Sequence, residues 1–365
     1  MKKNKVAFFP YGSEKNPYQL LIKEAVEKKK NFEVEKIAPQ KLFPYWFLKS
    51  SQINIIHHFW PHDFYQGKNK FLERLKQFSY LISLSVLNNK KIIYSADNLV
   101  GHDHLNFENE IYWIQKLINK ANAIIFTTNA SKEIFLKHYK VKNNCELAIV
   151  PHVSYFNYYL NEISRNEARE KLNIPTSSKV LLSLGRVSPY KGTVELLKIF
   201  KKINKENTVL VICGSCTDFG YNHQIKKEID TITNYNCKVI YINSFIEDDD
   251  LQIYFNATDG VILNYKDVPM NPGSLVLAMG FGCSIIAPNE GAIPEIVPKE
   301  CLFGFDSRNI LSLESALLSF FECGNLIALG EIAKKHVHEN HSSEKVGKIL
   351  SELYDKLIIE SEIIN

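Results

Sequence analysis

The sequence predicts an α/β protein built from two doubly wound, Rossmann-like domains, and three observations predict it. Short apolar runs rich in β-branched residues recur along all 365 residues. Helical patterns separate most of these runs, which is the signature of parallel strands joined by crossover helices. The series occurs twice, with a polar, tyrosine-rich stretch between the two halves.

In the first half the strand candidates are 5–9, 32–37, 53–57, 91–95, 123–127 and 146–150. In the second half they are 180–184, 208–213, 238–242, 260–264, 284–287 and 301–305. Runs this short and this apolar suit strands buried on both faces. After 180–184, residues Leu196, Leu197, Ile199, Phe200 and Ile203 share one side of a helix. A second helix is expected to begin near Ser274. A last amphipathic helix is expected over 343–359, with Val346, Ile349, Leu350, Leu353 and Leu357 apolar. The expected organisation is an N-terminal domain over 1–155, a linker over 156–178, a C-terminal domain over 179–340, and a final helix over 341–365 that crosses back to the first domain.

Composition narrows the class. Hydrophobic residues make up 45% and charged residues 23%, as in globular proteins with ample cores. A net charge of +4 is too mild to point to nucleic acid. Only Val6 to Phe9 is apolar behind the basic start, too little for a signal-peptide core. No run approaches the roughly 20 apolar residues that cross a bilayer. Seven scattered cysteines fit a reducing compartment, so a cytoplasmic protein is expected. The region 68–91 mixes Lys70, Arg74, Lys76, Lys90 and Lys91 with Phe71, Leu72, Leu75, Phe78 and Leu81. Such a helix packs a core with a solvated outer face, or rests on a membrane surface. Peripheral contact with the inner membrane face is the membrane option it leaves open.

The densest chemistry lies in Gly185-Arg186-Val187-Ser188-Pro189-Tyr190-Lys191-Gly192. A buried strand feeds a loop with two glycines and two cations, and the loop feeds a helix. Glycine lets backbone amides come close to an anion, and a helix start adds free N–H groups. A diphosphate suits such a place; an ordinary strand–helix turn with surface cations is the plainer alternative. At 264–274 a strand again ends in a Pro/Gly loop before a helix. There Tyr265, Gly273, Ser274 and Leu275 are donor-side candidates, against a capped core helix with Ser274 as N-cap. Gly214 and Ser215 follow another strand and border the same region. Glu295, in Gly291-Ala292-Ile293-Pro294-Glu295, is a candidate for sugar or ribose hydroxyls, or a first-turn acid that complements its helix.

Taken in order, these features resemble the second domain of GT-B glycosyltransferases, in particular the family 4 (group 1) type. The family's Gly-Arg…Lys-Gly loop stands here as Gly185, Arg186, Lys191 and Gly192. Its Tyr-x-x-Ala-Asp stretch stands as Tyr254-Phe255-Asn256-Ala257-Thr258-Asp259, and its core helix as Ala278-Met279-Gly280-Phe281-Gly282. The first half is similar to bacterial surface-polysaccharide transferases through Asn16-Pro17-Tyr18, Ile56-His57-His58-Phe59-Trp60-Pro61 and Ala96-Asp97-Asn98-Leu99. The resemblance implies two Rossmann-like domains facing a central cleft and a UDP- or GDP-linked sugar as donor substrate. It implies no other cofactor and no metal, and a glycan or lipid-linked acceptor. One departure stands out: positions where the family usually carries two glutamates hold Pro269 and Leu277.

On the acceptor side, Asp97 ends a strand and is the candidate general base, with His102 and His104 behind it; a turn or helix-cap pair Asp97-Asn98 is the alternative. Gly12, His57, His58 and Trp60 are the other acceptor-side candidates. The cluster His57, His58, His62 and Asp63 matches no zinc spacing. Within the donor site, Arg186 and Lys191 carry the expected catalytic charge. A catalytically silent sugar-nucleotide-binding subunit is the second reading, prompted by Pro269 and Leu277. A nicotinamide dehydrogenase is disfavoured, because no Gly-x-Gly-x-x-Gly follows the first strand.

Overall fold

The computed structural model describes residues 3–12, 16–40, 42–46, 52–101, 106–232, 236–266 and 270–364. The chain divides into two compact units, residues 1–153 with 341–365, and residues 154–340. Each unit is built on a six-stranded sheet in which every pairing is parallel.

In the first unit the strands are β1 (Asn4–Phe9), β2 (Phe32–Lys36), β3 (Ile55–His58), β4 (Lys91–Ser95), β5 (Ala123–Phe126) and β6 (Glu146–Ile149). Their spatial order is β2-β1-β3-β4-β5-β6, so chain order reverses between β1 and β3. Helices α1 (Tyr18–Glu27), α2 (Lys70–Leu84), α3 (Phe107–Ile118) and α4 (Asn129–His138) connect them. Asn69, Asn106 and Thr128 each cap the helix that follows by accepting from an amide of its first turn.

The second unit opens with α5 (Arg165–Lys171), within the stretch 156–178 expected as a linker. That expectation is corrected here. The helix starts on a reciprocal capping box between Ser164 and Glu167 and carries Arg169, which is fully buried. Arg169 donates to Ala257 O at 3.0 Å and to Asp259 Oδ2 at 3.0 Å, while Arg165 pairs with the other oxygen of Asp259. Asp259 also accepts from the Val180 amide at 2.7 Å. Two guanidiniums and a strand amide around one carboxylate therefore bind this stretch into the second unit.

The second sheet holds β7 (Lys179–Leu184), β8 (Thr208–Cys213), β9 (Lys238–Ile242), β10 (Gly260–Ile262), β11 (Ser284–Pro288) and β12 (Leu302–Phe305). Their order is β12-β11-β10-β7-β8-β9, reversing between β7 and β10. Between the strands run α6 (Thr193–Ile203), α7 (Phe219–Asp230), α8 (Leu251–Ala257), α9 (Gly273–Gly280) and α10 (Ile293–Ile296). Helices α11 (Ile310–Glu322) and α12 (Leu326–Asn340) complete the unit. Every residue of β8 and of β11 is buried, which explains their unbroken apolar sequences. Leu196, Leu197 and Phe200 of α6 enter one of the two core layers, as their helical spacing requires.

The last helix, α13 (Ser343–Ile364), packs against α1 in the first unit. Gly347 lets the two helices touch: a Cβ there would lie 2.2 Å from Ala25 O. Among the described residues no single helix is long and apolar enough to cross a membrane; one bent pair passes by composition, and its α11 residues Leu313, Leu317 and Phe320 lie in the core.

Candidate functional site

Ligands of open parallel sheets sit beyond the carboxyl ends of strands where chain order reverses. In the second unit that point lies beyond β7 and β10, where the Gly185–Gly192 loop meets Asn264 and Tyr265. The loop is shaped by contact with its neighbour strand. Gly185 has φ +107° and Gly214 has φ +143°, both in the left-handed region, and a Cβ on Gly214 would lie 2.1 Å from Gly185 O. The β7–β8 ladder continues past the strands: Gly185 N donates to Cys213 O at 2.9 Å and Val187 N to Ser215 O at 3.0 Å. Across the switch point, Asn264 Nδ2 donates to Gly192 O at 2.9 Å and Lys266 N to Tyr190 O at 2.9 Å. Gly185, Gly214 and Ser215 are thus brought together as expected.

Lys191 turns back over this loop. A Cβ on Gly185 would lie 2.9 Å from Lys191 Nζ, which stands 6.0 Å from the centre of the Tyr265 ring. The ammonium is half-buried and makes no hydrogen bond or ion pair with the described residues. Burial and then the positive charge of Arg186 push its pKa down to about 8. Arg186 itself is exposed. The loop therefore concentrates positive charge whose full protonation an incoming anion would restore.

Tyr265 is buried and stacks on Tyr190 at 6.1 Å between ring centres. Its hydroxyl meets Ser274 Oγ at 2.9 Å, and burial raises its pKa to about 12. Ser274 therefore does not cap α9: the helix begins at Gly273 after Pro272, with no side-chain cap. Gly273 and Ser274 lie at that start, half-buried. Leu275 is a correction. Its side chain is fully buried in the core of the second unit and its amide donates to Pro272 O, so it presents nothing to a donor. Glu295 is exposed on the short α10. The acid that organises this corner is its neighbour Glu290, which accepts from Ser307 N at 2.8 Å and Ser307 Oγ at 3.2 Å.

In the first unit the reversal lies beyond β1 and β3. Gly12 N donates to Gln19 Oε1 at 2.6 Å, and Gln19 Nε2 donates to Pro10 O at 2.9 Å. A Cβ on Gly12 would lie 3.2 Å from the half-buried Trp60 ring. Gly12 and Trp60 are thus adjacent. His57 and His58 are corrections: both are completely buried and face no acceptor. His57 is held between Tyr354 OH at 2.6 Å and Ser95 Oγ at 2.8 Å. His58 donates from Nδ1 to Phe59 O at 2.6 Å, so its Nε2 accepts from Tyr45 OH at 2.6 Å. Burial holds both imidazoles neutral, with pKa values near 3. Among the described residues no three His, Cys, Asp or Glu side chains gather as metal ligands.

Asp97 stands just past β4 and is buried. Its Oδ1 accepts from Tyr18 OH at 3.3 Å, and the Tyr18 ring lies 4.5 Å from that of His152. Tyr18 and His152 carried no signal in the sequence beyond the Asn-Pro-Tyr motif, because their contact joins residues far apart in the chain. His102, His104 and Pro269 lie outside the described residues.

Residues 164–336 match the family described as Glycosyl transferases group 1. The GDP-mannose:glycolipid 4-beta-D-mannosyltransferase of Xanthomonas campestris pv. campestris is 26% identical over 141 residues, which are 38% of this chain and 39% of that protein. The match thus spans about two-fifths of the relative's length. Among solved structures, sucrose-phosphate synthase from Thermosynechococcus elongatus superposes with a TM-score of 0.76 at 14% identity, over 98% of this chain and 100% of that one. Anabaena HepE, solved with UDP and glucose, superposes with a TM-score of 0.71 at 14% identity, over 97% and 100%. The chain has the GT-B fold, and its second unit matches the family of group 1 glycosyl transferases over 164–336.

Proposed function

We propose that the protein transfers a hexosyl unit from a nucleotide-diphosphate sugar, UDP- or GDP-linked, to a glycan or lipid-linked acceptor. The observation that carries this reading is Lys191: a half-buried ammonium without an ionic partner among the described residues, beside Arg186, at the switch point of a parallel sheet. A diphosphate supplies the missing anion. As the bond from the anomeric carbon to the diphosphate breaks, negative charge grows on the leaving oxygen. Arg186 and Lys191 then bind more strongly in the transition state than before it, which is what accelerates the step. The leaving group's charge is met by side chains, so the reading is metal-independent. Backbone amides around Gly185, Gly214 and Ser274 complete the anion's surroundings, and Glu295 is assigned to donor hydroxyls.

Asp97 is assigned as the base that takes the acceptor hydroxyl's proton while its oxygen bonds to the anomeric carbon. Direct displacement with inversion is then the simplest chemistry. Tyr18 donates to one carboxylate oxygen and so orients the group. A glycolipid-directed relative supports a role in bacterial surface polysaccharide or glycoconjugate synthesis. Seven unpaired cysteines support a cytoplasmic location.

The experiment is thermal denaturation of the purified chain against a panel of nucleotide sugars. A donor that binds only the folded state raises the melting temperature, by an amount set by its concentration over Kd. The reading fails if none does so and the Lys191→Ala variant behaves as wild type throughout. A second reading, a donor-binding subunit without catalysis, is favoured by Leu277 and Pro269, which replace the family's glutamates. Stabilisation by a donor with neither hydrolysis nor transfer by the isolated chain would select it.

A further inference from the structure

In the first unit, α2 carries an apolar stripe on the face turned away from its core. Phe71, Leu75, Phe78 and Ile82 recur at helical spacing and are all exposed, Phe71 by 80% and Phe78 by 61%. The opposite face supplies the buried residues Ser79, Tyr80, Ser83 and Leu84. Burial of one face explains why the helix forms; it does not explain apolar residues on the other. The stripe extends sideways. The Phe43 amide donates to Ser79 Oγ, which lays residues 42–46 beside the helix, and there Phe43 and the 49% exposed Trp46 pack edge to face at 6.1 Å. Large exposed apolar side chains gathered on one helix face and on the segment beside it mark an interaction site.

Charge identifies the partner. Lys68, Lys70 and Arg74 are exposed around the helix start and make no ion pair among the described residues. The one acid of the helix, Glu73, is half-buried and accepts from Gln77 at 3.0 Å. Lys76 is turned aside, donating to Asp63 O and Gln66 O at 2.8 and 2.7 Å. Aromatic side chains flanked by unpaired cations match the interface of an anionic bilayer, where apolar groups enter the acyl boundary and cations meet the headgroups. A second copy of this chain fits poorly: a two-fold contact would set the same cations against themselves. At about 1.5 Å per residue, α2 offers roughly 22 Å of helix lying in the surface plane.

We infer that α2 with residues 42–46 forms a docking surface for an anionic lipid bilayer. The inference stands apart from the donor site and survives if that reading fails. It is tested by co-sedimentation of the purified full chain with vesicles of phosphatidylcholine and phosphatidylglycerol in equal parts. The wild type is expected to sediment with them, to remain in solution with pure phosphatidylcholine, and to be released by salt. The double variant Phe71→Ser with Phe78→Ser is expected to weaken binding at least about tenfold. Lys70→Glu with Arg74→Glu is expected to abolish it, each cation being worth about fivefold near an anionic surface. These side chains are exposed, so both variants are expected to melt as the wild type does. The proposal is overturned if the wild type ignores anionic vesicles, or if the serine variant binds them equally well. It is also overturned if the serine substitutions instead convert a lipid-free dimer to a monomer.

Discussion

The two sheets obey one topological rule and use it in opposite ways. Each reverses its strand order once, between β1 and β3 in the first unit and between β7 and β10 in the second. Beyond the second reversal the space is lined by glycine backbone and an ammonium that has no ionic partner among the described residues. Beyond the first, the strand end is filled: His57, His58 and Tyr18 are buried and engaged by tyrosine, serine and carboxylate. An anion needs exposed amides and charge, which glycine loops provide. A hydroxyl acceptor needs shape and one proton acceptor, and packed aromatic and imidazole rings can hold Asp97 in a fixed place. The difference teaches that the reversal fixes where a site lies, while loop composition decides what it can take.

Acid should separate the units most sharply. Histidines 57, 58 and 152, all in the first unit, have folded pKa values near 3 against an ordinary value of 6.5. Between those pH values the unfolded chain binds more protons than the folded one. Their contribution is therefore intact above pH 6.5 and is lost as pH falls toward 3, by up to about 1.4 kcal/mol per histidine per pH unit. All three tryptophans, Trp46, Trp60 and Trp113, lie in the first unit, so their fluorescence reports its unfolding alone. An acid transition in tryptophan emission that precedes the loss of helical circular dichroism from the second unit is the expected result.

The next largest effect is on catalysis. Arg186→Ala and Lys191→Ala should each lower transfer by about 10²–10³-fold, the range for removing one stabiliser of developing charge, with little change in melting temperature. Steady-state rates with a stabilising donor measure this; unchanged rates would remove the phosphate role. Asp97→Asn should lower transfer by about 10²-fold or more while leaving donor-induced stabilisation intact. Normal turnover in that variant would move the base elsewhere and erase the contrast between the two sites. The smallest effect is on pH dependence. Lys191 is protonated below its pKa of about 8, and a bound diphosphate raises that pKa. Donor affinity should therefore fall as pH rises above about 8, by at most about tenfold per pH unit, and titration calorimetry should detect proton uptake near that pH.

Much of this was legible in the chain. All twelve strands appear at or within a few residues of their apolar runs, because parallel strands covered on both faces cannot hide among polar residues. The Gly185–Gly192 loop stood out because glycine and cation recur together at a helix start. What escaped depends on contacts between residues distant in sequence. His57 looks like a cleft residue until Tyr354, 297 positions later, takes its Nδ1. Leu275 sits between plausible donor residues, yet helical geometry turns it into the core. The stretch 156–178 is rich in polar side chains and looks like a linker until Asp259 gathers Arg165 and Arg169. Asp259 also shows that a motif residue can have an architectural role without any sign of it in the motif.

The return of α13 to α1 has a consequence for the order of assembly. The first unit is discontinuous: its opening 153 residues need the final helix to cover α1 and to satisfy His57. All of 154–340 is synthesised before that helix. The second unit can therefore complete its own set of contacts without 341–365, while the first waits for that segment with an uncovered helix.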